Sequence, residues 1–220
     1  MKFPNAAKGV SKIFTAEILG LISFVLLGIG SIAVIGSAVG SGDKVSNVAV
    51  GSMAVGGILV TIGAIIMIVG AIINIVGLVQ AGKDEKFFKY ALYAMIIYII
   101  LSLIVNIALS ASGYKDYVSN GGTLINLIVN VLVIQGIINL ANAKQDAKVA
   151  SKGLLIFKLI IAVTVLEIIA SIIGAATQST AAAVVVLVLA IAALVLGIVR
   201  YFMYLSMLSN AKKMLAGDAE

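Results

Sequence analysis

Residues 48–81 read VAVGSMAVGGILVTIGAIIMIVGAIINIVGLVQA, a run of 34 residues without one charged side chain. Apolar runs of about 18 residues or more mark membrane-spanning segments. Hydrocarbon offers no partner to a backbone N–H or C=O, so a run of this kind pairs those groups internally as a helix. It is also too continuous for the in–out alternation of a membrane β-strand. At about 1.5 Å per residue such a helix outruns a hydrocarbon core of about 30 Å, so it tilts or projects into water.

Five further runs of the same character flank it. The sequence predicts an all-α membrane protein, a bundle of six transmembrane helices over about residues 13–39, 48–81, 87–111, 123–143, 154–176 and 181–209, all within one integral membrane domain, 1–220. Thr123 and Ser151 are the expected caps of the fourth and fifth helices. The opening MKFPNAAKGVSK precedes an apolar stretch at 13–39 that exceeds the roughly 7–15 residues of a signal peptide's apolar region, so it is expected to stay as the first helix. Composition agrees: 62% of residues are hydrophobic and 11% charged, against roughly 45–50% and 25% in a soluble domain.

Orientation follows from the bias of Lys and Arg toward cytoplasmic loops. Of fifteen such residues, Lys44 and Lys115 fall on one side and the other thirteen on the opposite side, which predicts both termini in the cytoplasm. No Asn-x-Ser/Thr sequon occurs, and a bacterial inner (plasma) membrane fits. The basic charge, +6, is gathered at helix ends, which suits anionic lipid headgroups and argues against nucleic acid.

The chain also repeats. Helices 2, 4 and 6 end in Leu78-Val-Gln-Ala-Gly-Lys, Leu140-Ala-Asn-Ala-Lys-Gln and Leu208-Ser-Asn-Ala-Lys-Lys, while helices 1, 3 and 5 carry Phe14, Phe88 and Phe157 beside their starts. A two-helix hairpin used three times in the same orientation accounts for both. Mitochondrial carriers share that plan, but their signature requires a proline in each odd helix and the only proline here is Pro4, so the likeness is one of architecture.

Three patterns carry candidate function. In helix 2, Ala49, Gly56, Gly63, Gly70 and Gly77 fall every seven residues, a close-packing seam for a helix of the same chain or for a second copy. In helix 5, Thr164, Glu167, Ser171, Gly174 and Gln178 form one stripe at spacings of three and four. Ser102, Asn106 and Ser110 on helix 3, with Asn126 and Asn130 on helix 4, lie at related depths, so a polar crevice among helices 3, 4 and 5 is expected around Glu167, or else ordinary interhelical hydrogen bonds. Nearer the cytoplasm, Glu17, Arg200, Asn74, Gln135 and Asn139 form an inner group, in which Glu17 and Arg200 can pair if helices 1 and 6 are neighbours. Counting from opposite helix ends separates Arg200 from Glu167 by roughly 10 Å.

The absence of Cys and His removes thiolate and imidazole chemistry, so neither catalysis, a metal site nor a cofactor is expected. The expected role is transport of a small solute or ion, or service as the membrane subunit of a transporter. In size and helix count the chain is similar to the substrate-binding subunits of energy-coupling-factor vitamin transporters, a likeness that would imply an ATPase partner. The alternative is a non-transporting scaffold or regulator that acts through helix packing and forms a homo-oligomer along the glycine seam.

Overall fold

The computed structural model describes the backbone of residues 1–40, 47–109, 115–176 and 180–218, and the side chains of 1–36, 51–104, 125–174 and 183–218. Six helices follow one another, α1 (Pro4–Gly40), α2 (Asn47–Ala81), α3 (Lys86–Leu109), α4 (Lys115–Ala143), α5 (Ala147–Ala176) and α6 (Thr180–Leu215), with a 3-10 turn at Ala216–Asp218. Each is long and apolar enough to cross a membrane. No strand occurs among the described residues.

The helices outrun the apolar runs that announce them. α1 starts at Pro4 instead of near Ile13, α4 at Lys115, α5 at Ala147, and α6 continues to Leu215. The apolar run marks only the part in hydrocarbon; polar residues that follow it in water keep the helical ladder wherever a cap supports the end. Pro4 occupies the first helical position, where its missing N–H is no loss. Ser151 is not the cap of α5: its hydroxyl donates back to the Lys148 carbonyl at 3.1 Å. Asp146 is the cap, accepting the Val149 N–H at 3.0 Å. Just before it, Gln145 takes a left-handed φ of 58°, which ends α4 and lets the Asp146 N–H reach the Ala141 carbonyl at 2.8 Å. Thr123 lies inside α4, outside the described side chains.

Each helix packs most extensively against its hairpin neighbour: α1 on α2, α3 on α4, α5 on α6. Smaller contacts join α2 to α3, α4 to α5 and α6 to α1, and these close a ring. α4 also touches α6 across it. The least apolar of the six spans, α4, is the most buried, with 44% of its apolar stretch covered against none in α6. A helix wrapped by protein can carry Asn130, Gln135 and Asn139; one bathed in lipid has to be apolar all round.

The core lies toward the end that carries both chain termini, called here the terminal end. Val10 and Ile13, Leu78, Phe88, Ile134 and Ile137, Ile156, and Met207 and Leu208 meet there, from all six helices. Gly136 admits the Phe88 ring, since a Cβ at Gly136 would stand 2.8 Å from it. Polar clasps lock the same end. Asp84, in the α2–α3 turn, accepts from the Ala6 N–H at 2.8 Å and the Asn5 amide at 2.9 Å, so it caps α1 from outside the helix. Asp218 accepts from the Phe3 N–H at 3.0 Å and from Lys144 at 2.6 Å. Leu78, Leu140 and Leu208 are all buried, as is Phe88, while Phe14 and Phe157 are half-buried.

Candidate functional site

Toward the other end the core stripes give way to a cleft. On α1 the buried Ile13 is followed on the same face by Glu17, Gly20 and Phe24. On α5, Ile156, Ile160 and Val163 are followed by Glu167. On α6, Tyr204 is followed by Tyr201, Gly197, Leu194 and Ala190. Spacings of three and four keep each set on one face. These residues surround a cleft of about 800 Å³ between α1, α5 and α6. It exists because small residues line two of its walls: a Cβ added at Gly20 or Gly197 would meet nothing within 4 Å.

Three charged side chains line the cleft: Glu17, Glu167 and Arg200. Tyr201 closes its terminal side by donating its hydroxyl to the Glu17 carbonyl at 3.1 Å, which ties α6 to α1. Gly153 on α5 packs at Met207 on α6. Glu167 is fourteen residues beyond the first and Arg200 seven beyond the second, so the carboxylate stands about 10 Å further from the terminal end. Arg200 also borders a small cavity of about 40 Å³ with Asn130, Tyr201 and Tyr204. Among the described residues, neither carboxyl group nor the guanidinium is held by a side-chain hydrogen bond or an ion pair.

The sequence-derived groups are therefore redistributed. Glu167, Glu17 and Arg200 share one cleft, on α1, α5 and α6. Helices 1 and 6 are neighbours, as a Glu17–Arg200 pairing requires, yet the two residues face the cleft without forming an ion pair. Asn130 reaches only the neighbouring cavity. Thr164 and Asn74 are half-buried, and Asn126 is exposed. Ser171 donates to the Glu167 carbonyl one turn back at 2.8 Å, and Ser102 to the Ile99 carbonyl at 2.9 Å. Asn106, Ser110 and Gln178 lie outside the described side chains. Gln135 and Asn139 belong to a separate relay: Gln135 donates to Asn139 at 3.0 Å, and Asn139 to the Glu85 carboxylate at 3.3 Å, which fastens α4 to the α2–α3 turn.

The glycine seam of α2 is occupied within the chain. A Cβ at Gly56 would stand 2.8 Å from the Gly30 carbonyl, at Gly63 2.9 Å from Leu27, at Gly70 3.4 Å from the Ala16 carbonyl and at Gly77 2.9 Å from the Gly9 carbonyl. The partner face on α1 has its own seven-residue period, Gly9, Ala16, Ser23 and Gly30, and all four are buried. Ser23 donates its hydroxyl to the Gly63 carbonyl at 2.7 Å. Ala49 lies outside the described side chains.

Two further signals in the sequence match this arrangement. One is the small-residue heptad of α1, hidden because Ala and Ser interrupt its glycines. The other is the Ala190, Ala193, Gly197 stripe, whose small side chains open the cleft.

The chain matches no family model, no curated protein and no solved structure. The cleft is the feature of the fold that bears on function.

Proposed function

We propose that the protein binds a small solute or ion inside the bundle and passes it across the bilayer, alone or as the membrane subunit of a larger transporter, without catalysing a covalent step. The observation that carries this reading is the cleft of about 800 Å³ lined by Glu17, Glu167 and Arg200. Ionisable side chains within a membrane span are costly and mark solute or proton pathways. A cavity of this size lies in the usual range for small-molecule sites, roughly 300–1,000 Å³. The scaffold reading is less well supported, because the glycines that motivated it face α1 of the same chain.

In this proposal the terminal end lies in the cytoplasm of a bacterial cell, the cleft faces the outer half of the plasma membrane, and the three hairpins are tandem repeats. A second copy or an energising subunit completes a transporter.

Gly197→Phe is the direct test. The added ring has open space to enter and fills the cleft without displacing the packed terminal end. A solute screen on the purified full chain is expected to find compounds that raise its thermal midpoint, and Gly197→Phe is expected to abolish that gain and the matching uptake into proteoliposomes. Identical behaviour of wild type and Gly197→Phe toward every stabilising or transported compound would remove the cleft from the mechanism.

A further inference from the structure

The cleft's chemistry is uneven, and that unevenness selects a ligand. Most of its walls are apolar: Leu21, Phe24, Leu194, Ile198 and Phe202. Its charged groups are two carboxylates and one guanidinium, which leaves one negative charge in excess when all three are ionised. Glu17 and Arg200 both lie toward the terminal side, where Tyr201 bridges α6 to the Glu17 backbone. Glu167 stands apart, about 10 Å along the bundle by helical rise, among the apolar walls.

A bare inorganic cation is poorly served there. Hard cations need several oxygen ligands in place of water, and among the described residues no three His, Cys, Asp or Glu side chains are grouped to hold a metal ion. An anion would meet Arg200 but also two carboxylates. An organic cation with an apolar body meets both halves of the surface. Its charge is complemented by Glu167, its body covers apolar walls that the bundle leaves exposed, and the rings of Phe24 and Phe202 can face the cation.

Resting on the reading of the cleft as a solute site, we infer that its ligand class is a small organic monocation with an apolar body, seated with its charge at Glu167 and its body against Phe24, Leu194 and Ile198. Glu17 and Arg200 form the cleft's floor. Arg200 excludes a second positive charge, which restricts the site to monovalent cations. The single carboxylate among apolar walls makes Glu167 the residue that sets the sign of the ligand.

The test uses the purified full chain in detergent, with radiolabelled tetraphenylphosphonium as the cation and tetraphenylborate as an anion of nearly the same shape. Saturable binding of the cation is expected, with the anion failing to compete. Glu167→Gln is expected to weaken cation binding about tenfold or more, the scale of one lost interaction with a charged group. Glu167→Asp should restore most of it. Arg200→Gln should raise cation affinity and should let a dication compete. If Glu167→Gln does not yield a monodisperse protein, Gly197→Phe replaces it and is expected to abolish binding.

Equal affinity for the borate and the phosphonium, both lost in Gly197→Phe, would overturn the cation assignment and keep the cleft as a site. Binding of neither would overturn the cation assignment alone, and binding of either that survives Gly197→Phe would overturn the solute-site reading with it. A stoichiometric phospholipid retained in the cleft and not displaced by tetraphenylphosphonium would overturn the assignment in favour of a lipid occupant.

Discussion

At the residue scale, the seam between α1 and α2 separates glycines that look alike in sequence. Gly56 and Gly77 sit where an added Cβ would come within 3 Å of a backbone carbonyl on α1. Backbone atoms there are held in helical ladders and cannot yield alone. Gly70 has ordinary contact distance, 3.4 Å, and Gly57 has open space. Alanine also brings a helical preference worth roughly 0.5–1 kcal/mol over glycine, so the balance changes sign along one helix. Gly56→Ala and Gly77→Ala are expected to destabilise the protein by about 1–3 kcal/mol, the usual scale of overpacking. Gly57→Ala should be neutral or stabilising and Gly70→Ala close to neutral. Thermal midpoints of the four variants in one detergent check this order. A uniform response would show that the helices do not approach as closely as the Gly30–Gly56 and Gly9–Gly77 contacts require.

At the element scale, the six helices were legible because lipid leaves each span's backbone to pair within itself, and the long runs, a few charged residues apart, are apolar throughout. Their ends were not, because helix ends are decided by single hydrogen bonds. Asp146 and Ser151 are both good N-cap types, and only the fold shows that Asp146 takes the role. The cleft was half legible: Glu17, Glu167 and Arg200 announced themselves as charges in apolar runs, but which helices they share depends on rotation about each axis, which composition does not fix. The clasp at Asp218 was hidden for a related reason, since its partners are 215 and 74 residues away. α6 has 36 residues, about 54 Å of helix, so the turns bearing Lys212 and Lys213 and the turn that follows with Asp218 project beyond the hydrocarbon. There the Lys144 ammonium, and after it the Phe3 N–H, hold the Asp218 carboxyl below its ordinary value of 3.8, against the opposing effect of burial. An aspartate with a lowered folded value stabilises the fold above its unfolded value and loses that contribution as pH falls through the lowered one. Protection of the first turn of α1 against amide exchange should therefore be full at neutral pH and fade only as pH drops below 3.8. Asp218→Asn should show reduced protection already at neutral pH and converge with wild type in acid. A variant as protected as wild type at pH 7 would mean that the clasp does not hold the N-terminus.

At the scale of the whole molecule, the packed terminal end and the cleft beyond it give the bundle a polarity, and its direction in the membrane decides which compartment the cleft addresses. The charge asymmetry argues that the terminal end is cytoplasmic, because thirteen of the fifteen Lys and Arg residues belong to that side. The clasps strengthen the argument. Asp84 and Asp218 bind the N-terminus, the α2–α3 turn, the α4–α5 turn and the C-terminal turn to one another, so these segments share one end, and they carry Lys83, Lys144 and Lys148 with them. Reversing the orientation would place the whole cluster outside at once; no single loop can be reversed independently. Cysteine replacement in a chain that has no cysteine of its own makes this directly measurable. Cysteines at Gly42, Ser119 and Ser179, which fall between apolar runs of the sequence, should react in intact cells with a membrane-impermeant maleimide. Cysteines at Lys8, Ala147 and Ala216, all exposed at the terminal end, should react only after the membrane is opened. Labelling of the second set in intact cells, with the first set silent, would invert the bundle and point the cleft at the cytoplasm. Labelling of both sets would break the ring of six spans itself, since the shared end leaves no arrangement of these helices that shows both faces to one side.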